Sequence, residues 1–268
     1  MKRKVMILLL GLLILNNIFV IKIKADESFD QKIDLNIEDR YFKTPKYDLN
    51  YNKLKSLQQE YSRNVKGVYV NLWTLSHAAK RKKIIKAINE SELNAIVIDL
   101  KDIKGRTPFV SSPIKEFPYN LDQKDLKALI SRWQKKGIYV IGRIAVFKDE
   151  ALAVQDSSKS LKYIIDTGEN WALVDSTKWT NPYSKVVWDY NISIAREMAA
   201  LGLDEIQFDY IRFPTLRKNS KLVIKTHEKL SRSDAIIGFL KNAVKKLKDY
   251  NVITSADLFG LTTTAAGD

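Results

Sequence analysis

The stretch GLDEIQFDYIRFP, Gly202–Pro214, decides the fold. Gly202 ends a helical pattern, Ile206–Tyr210 is a short, largely apolar run, and Asp209 stands where that run gives out. Such a run directly after a helix predicts a buried strand. A buried strand does not tolerate an unpaired charge, so Asp209 must be met by partners or used at the rim of a site. Alternation along a strand places Glu205, Gln207 and Asp209 on one face. Glu205, near the strand start, is expected to face solvent or the bottom rim.

The same design recurs in AIVIDLKD (Ala95–Asp102), IYVIGR (Ile138–Arg143) and VITSADLFG (Val252–Gly260). Parity groups Val97 with Asp99 and Lys101, Tyr139 with Ile141 and Arg143, and Ile253 with Ser255 and Asp257. Val65–Asn71 supplies one further strand. Helices are predicted from Ser76 to Glu90 (Ile84, Ile85 and Ile88 apolar), from a cap at Asp122 (Leu126, Leu129, Ile130, Trp133) to Gly137, and from Ser184 (Val187, Tyr190, Ile194, Met198). A fourth opens on a Ser231/Asp234 capping box and packs Ile237, Leu240 and Val244. Lys148–Asp166 reads as partly helical, Trp171–Val174 as a short strand or rim arm, and Thr215–Leu230 as a basic loop. Strand–helix alternation with apolar strands predicts a parallel sheet covered by helices. Five strands complete an open doubly wound sheet but leave a (β/α)8 barrel three units short. The eight residues after Gly260 hold no covering helix, which reads as an interrupted domain.

The chain has 268 residues, 45 basic and 31 acidic, and a net charge of +14. Lys2, Arg3 and Lys4 precede a mainly apolar run, Val5–Ile21, and Ala25 precedes Asp26 and Glu27. Residues 1–25 therefore read as a secretory signal peptide cleaved after Ala25, with an uncleaved N-terminal anchor as the alternative. No cysteine is present, so neither a disulfide nor a lipidated thiol is available. Residues 26–64 form an extended N-terminal segment, and 65–268 the βα region. A positive surface favours anionic neighbours such as cell-wall polymer, while export weighs against nucleic acid. No specific protein partner is predicted. His77 and His227 are the only histidines and lack metal-ligand spacing, and no P-loop, dinucleotide fingerprint or G-x-S-x-G elbow occurs. Neither a metal nor a cofactor is expected.

Asp209 and Asp257 are the leading catalytic candidates. For Asp209 the competing role is an ion pair with Arg143 or Arg212; for Asp257 it is a helix cap. Asp99 with Lys101 or Arg143 is either a supporting salt bridge or a ligand clamp. Trp179, Asn181, Pro182 and Tyr183 suit stacking on a sugar face plus a hydrogen bond to hydroxyls, or plain loop packing. Trp73 and Phe147 share that ambiguity. Tyr210 and Arg212, next to Asp209, complete the candidate set. Arg212 also opens a basic run with Arg217, Lys218, Lys221 and Lys225, read as a solvated loop or as a hold on a phosphate-bearing polymer.

Taken together, GLDEIQFDYIRFP, WTNPYSKVVWDYNISIA (Trp179–Ala195), AIVIDLKDIKG (Ala95–Gly105) and ITSADLFG (Ile253–Gly260) resemble a glycoside hydrolase family formerly described only as a domain of unknown function. That family is related to the alpha-amylase-like TIM-barrel superfamily and is common in exported proteins of Gram-positive bacteria. The resemblance implies an α/β fold of (β/α)8 TIM-barrel type, here truncated after about the fifth strand. It implies a nucleophilic carboxylate on the fourth strand, which falls on Asp209, and an acid/base near Asp257, where many amylase-like enzymes carry Glu. Arg143 would then orient Asp209, with Asp99 and Lys101 binding hydroxyls or holding the network. The expected activity is cleavage of an envelope or extracellular polysaccharide. The rivals are a non-catalytic polysaccharide-binding protein and a structural envelope module.

Overall fold

The computed structural model describes residues 64–108, 123–167, 171–215, 220–222 and 230–259, with the backbone of 18–22. Most of the leader, residues 26–63 of the N-terminal segment, the Asp122 cap and most of the basic loop lie outside the described residues.

In chain order the elements are β1 (Ile18–Lys22), β2 (Gly67–Val70), α1 (Leu72–Ser76), α2 (Ala78–Asn89), β3 (Ala95–Lys101), α3 (Gln123–Gln134), β4 (Tyr139–Ala145), α4 (Glu150–Gln155), β5 (Ser160–Asp166), β6 (Trp171–Thr180), α5 (Lys185–Ala199), β7 (Glu205–Asp209), β8 (Ser220–Leu222), α6 (Arg232–Leu247) and β9 (Ile253–Phe259). The five predicted strands β2, β3, β4, β7 and β9 lie side by side in that order, each parallel to the next. β1 runs antiparallel along the outer edge of β9, pairing Val20 with Asp257 in register.

Two features separate a barrel arc from an open doubly wound sheet. A doubly wound sheet reverses its strand order at a switch point, and this sheet does not. The main core also gathers all four long helices against one face: Ile88 of α2, Trp133 of α3, Met198 of α5 and Phe239 of α6 pack with Ile98, Val140 and Phe208 of the sheet. The opposite face carries only a small cluster, Ala95, Tyr139, Ile141 and Ile253. This is the layering of a TIM-type barrel, with helices outside and side-chain layers within.

Local sequence explains the elements. The Ser231/Asp234 capping box forms as predicted, Ser231 Oγ accepting from Asp234 N at 3.0 Å. Phe239 is fully buried, with its ring meeting Phe208 and Phe147 at 5.3 and 5.4 Å. Truncating such a side chain costs about 3–5 kcal/mol. Gly142 permits close approach within the sheet layer: a Cβ there would lie 2.4 Å from Leu100 Cδ1 and 2.8 Å from Leu203 Cδ1.

Several expectations need correction. The helix expected from Ser76 to Glu90 is α2, with His77 rather than Ser76 at its N-cap; the short α1 before it, capped by Asn71 accepting from Thr74 N at 2.9 Å, is an addition to the expected elements. Ile237 is 47% exposed; α6 instead buries Ala235, Phe239, Leu240, Ala243 and Leu247. Lys148–Asp166 contains the short α4 but ends in strand β5. Trp171 begins a ten-residue strand, β6, and the 215–230 region contributes β8. Strands β6, β5 and β8 form a separate antiparallel sheet.

Candidate active site

Parity brings the charged strand ends together on the inner face. Arg143 of β4 is the hub. Its Nη1 donates to Asp99 Oδ1 at 2.6 Å, while Nε and Nη2 donate to Asp209 Oδ2 at 2.9 and 2.7 Å. The other oxygens are also engaged. Asp99 Oδ2 accepts from the Tyr69 hydroxyl and Asp209 Oδ1 from the Tyr210 amide, both at 2.5 Å. Burial opposes the Arg143 charge, but Asp99 and then Asp209 outweigh it and hold the guanidinium above its ordinary pKa. Asp99 is only 1% exposed, and burial pushes its carboxyl up while Arg143 and Tyr69 favour the anion. A guanidinium does not deprotonate in proteins, so the short contact to Arg143 keeps Asp99 in an ion pair.

Asp257 sits in a different setting. The β7/β9 register ends with Phe208 opposite Ala256, so the next pair sets Asp209 beside Asp257 across one strand spacing, about 4.8 Å. Gln207 Nε2 donates to both Asp257 oxygens, at 2.7 and 2.9 Å. Burial, followed by the charge of Asp209, pushes the Asp257 pKa up to about 7, against the opposing pull of Gln207 and Arg143. The pair is thus asymmetric: Asp209 accepts from a guanidinium and a backbone amide, while Asp257 holds its proton to near neutrality. Gln207 Oε1, buried next to this pair, has no hydrogen-bond partner among the described residues.

Two sequence expectations change here. Glu205 is not at a solvent rim: it is 3% exposed, accepting from Ser255 Oγ at 2.5 Å and Tyr139 Oη at 3.0 Å. It supports the floor beneath Gln207 and Asp257. Lys101 does not share a face with Asp99, because the β3/β4 register skips a residue between them and pairs Lys101 with Ile144 on the helix side. There Lys101 Nζ meets Asp149 Oδ2 at 2.6 Å and Val146 O at 3.4 Å, with both charged side chains fully buried. Burial lowers the Lys101 pKa and Asp149 opposes it. Asp149 also caps α4 by accepting from Leu152 N at 2.9 Å. Gly105, at φ +77°, leaves room for it, since a Cβ would stand 2.2 Å from Asp149 Oδ1.

The aromatic candidates divide. Tyr210, with φ +52°, presents its ring next to Trp179, centroids 6.0 Å apart. Arg212 lies over Trp179 at 5.1 Å and over Tyr210 at 5.7 Å. These three adjoin Asp209. Asn181 instead accepts from Tyr183 N at 3.0 Å in the turn that starts α5, and Tyr183 is buried against Phe213, ring centroids 5.3 Å apart. Phe147 belongs wholly to the core; Trp73 is 45% exposed and carries Lys80 on its ring. Tyr69, Gln207 and Lys148 are site members that sequence reasoning did not select. Parity contained a signal for Gln207 and, through its pairing opposite Val97, for Tyr69. Among the described residues no group of three His, Cys, Asp or Glu is arranged to hold a metal ion. An open groove between α2 and α3, lined by Arg81, Ile85, Leu129 and Trp133, lies on the helix side and takes no part in the site.

Residues 67–268 match the family model DUF4015, described as "Putative glycosyl hydrolase domain". A hypothetical protein from Ruminiclostridium thermocellum ATCC 27405 is similar to 72% of this chain across 98% of its own length, at 30% identity and a TM-score of 0.57. A GH20 exo beta-N-acetylglucosaminidase from Vibrio harveyi overlaps 71% of the chain at 12% identity and a TM-score of 0.47, over 35% of its own length. Alpha-L-fucosidase isoenzyme 2 from Paenibacillus thiaminolyticus overlaps 72% at 18% identity and a TM-score of 0.47, over 32% of its own length. The chain thus matches about a third of each of those two enzymes. No curated protein matches it.

Proposed function

The chain belongs to the DUF4015 family of glycosyl hydrolase-type domains, and from that premise we propose that it cleaves O-glycosidic bonds of an envelope or extracellular polysaccharide. Asp209 attacks the anomeric carbon, forming a glycosyl–Asp209 ester as the C–O bond to the leaving sugar breaks. Asp257 donates its proton to the departing oxygen. It then takes a proton from the water that releases the sugar, and Asp209 leaves as carboxylate. Arg143 orients Asp209 and balances its charge, and Trp179 and Tyr210 offer ring faces for a sugar to stack on.

One observation carries this reading: neighbouring carboxyl groups held in unlike surroundings, one clamped by a guanidinium and a backbone amide, the other buried against a neutral amide. Asp209 accepts three hydrogen bonds, two of them from a guanidinium, while burial and then the charge of Asp209 push the Asp257 carboxyl up to about 7. Such divergence is how acid and nucleophile are distinguished. The strand register sets Asp209 and Asp257 side by side at the ends of neighbouring strands, and the charge of one acts on the other, as a nucleophile and acid working on one bond require. The basic, apolar N-terminal leader supports placing the activity outside the cytoplasmic membrane.

The test is Asp209→Asn in the full-length protein, assayed by reducing-end release from a panel of wall and extracellular polysaccharides. Loss of kcat with an unchanged melting curve is expected, and NMR of early wild-type products should show retained anomeric configuration. Full turnover by Asp209→Asn would defeat the nucleophile assignment. Tight, specific glycan binding by the wild type with no product release would make the domain a binding module instead.

A further inference from the structure

Two cations beside the carboxylates take no part in their network. Lys148 Nζ lies 5.1 Å from the centroid of the Tyr210 ring, and Arg212 lies 5.7 Å from it and 5.3 Å from the Phe259 ring. Arg143, the third cation against Tyr210, is neutralised by Asp99 and Asp209. Lys148 and Arg212 have no carboxylate partner among the described residues; the polar contact of Arg212 is with the carbonyl of its neighbour Phe213, at 3.2 Å. A ring face is weak compensation for a full positive charge beside a polar cleft.

Their backbones are held in place. Lys148 forms a β-bridge with Trp179, flanked by Asp149 N to Lys178 O at 3.0 Å and Thr180 N to Phe147 O at 2.9 Å. Tyr210 touches Asp209 through its amide and lies against both cations through its ring. The small sheet that carries Trp179 also includes β8, whose backbone runs through the basic segment Arg217–Lys225. A neutral polysaccharide could accept hydrogen bonds from Lys148 and Arg212 but would leave both positive charges uncompensated.

We propose that Lys148 and Arg212 recognise an anionic group, so that the substrate is an acidic polysaccharide carrying a carboxylate or phosphodiester within about one sugar of the cleaved bond. The sugar ring stacks on Trp179 and Tyr210 while its acidic group lies against the two cations. This rests on the glycosidase reading for the location of the cleft but not for the recognition itself, which binding alone can test.

Binding is measured by calorimetry on full-length Asp209→Asn, with and without Lys148→Gln and Arg212→Gln, so that every comparison shares one background. The probes are a galacturonate oligomer, a glycerol-phosphate oligomer and a carboxyl-reduced oligomer matched in length to the first. At least one acidic probe should bind about ten-fold or more tightly than the neutral one, with the advantage shrinking as salt rises. Which acidic probe wins identifies the anion. The double variant should lose that preference. Lys148→Gln alone should lose part of it, which keeps the test valid if Arg212→Gln misfolds. Equal affinity for charged and neutral probes, or a preference that survives both substitutions, overturns the proposal. If the wild type hydrolyses none of the polymers but the rim-dependent preference holds, the hydrolase reading falls and the anion site stands.

Discussion

Gln207→Leu removes the donor that bridges both oxygens of Asp257 while roughly keeping side-chain volume. A hydrogen bond to a charged group contributes about 1.5–3 kcal/mol, and one pKa unit corresponds to about 1.4 kcal/mol. Because the amide favours the ionised carboxylate, its loss should raise the Asp257 pKa from about 7 by roughly one to two units. Asp257 must be protonated to donate to the leaving oxygen, so kcat/KM should fall as pH rises through that pKa in the free enzyme. The alkaline limb should therefore move from near pH 7 to roughly pH 8–9 in the variant. The assay is reducing-end release by the full-length protein across pH 5–10 at fixed ionic strength. An isotope-edited carboxyl titration of Asp257, with and without Gln207→Leu in one Asp209→Asn background, would follow the same shift from a lower starting value, because the Asp209 charge is gone. A limb that stays in place, or moves toward acid, in a variant with an unchanged melting temperature would refute the assignment of Asp257 as acid and Gln207 as the residue that sets its pKa.

Stability should report the same group with a definite sign. Because its native pKa is raised, Asp257 keeps in the fold a proton that the unfolded chain has already released, so it removes stability as pH climbs from about 4 to about 7. Asp257→Asn should therefore melt higher than wild type at pH 8 and close to it at pH 4; equal differences at the two pH values would count against burial of a titrating carboxyl. Lys101→Met should cost about 3–5 kcal/mol in denaturant titration, since it strands the buried Asp149 charge, whereas Lys101→Met with Asp149→Leu should recover much of that loss. Additive losses in the double variant would show that the two side chains do not act as a pair. Gly105→Ala should also destabilise the protein, because the left-handed backbone and the contact with Asp149 both resist a Cβ; wild-type stability in that variant would contradict the local geometry.

The five parallel strands were legible because each is a short, largely apolar run, and four of them follow a helical pattern. Arg143, Asp209 and Asp257 were legible because two-residue alternation carries a charged strand end to the inner face. Lys101 escaped the same rule: the register skip after Asp99 reverses parity, and nothing in AIVIDLKD marks a bulge. Glu205 had the right face and the wrong environment, since its partners Tyr139 and Ser255 lie 66 and 50 residues away. Lys148 opens a stretch that reads only as partly helical, and no local pattern announces the bridge to β6 that fixes it beside Tyr210. Of the β5–β6–β8 sheet only the start of β6 reads as a strand or rim arm; β5 and β8 were hidden because they mix lysines with apolar residues and β8 falls inside a basic loop.

Tyr210 holds a left-handed backbone that favours glycine or asparagine, while its amide caps Asp209 and its ring meets Trp179. Two kinds of selection should therefore pull this position apart. A library screened only for heat resistance should drift toward glycine or asparagine at 210, which relieve the backbone and still supply the amide to Asp209. A library screened for sugar turnover should retain an aromatic residue there despite the strain. The tyrosine would then mark a compromise between durability and use, readable from the substitutions that each screen keeps.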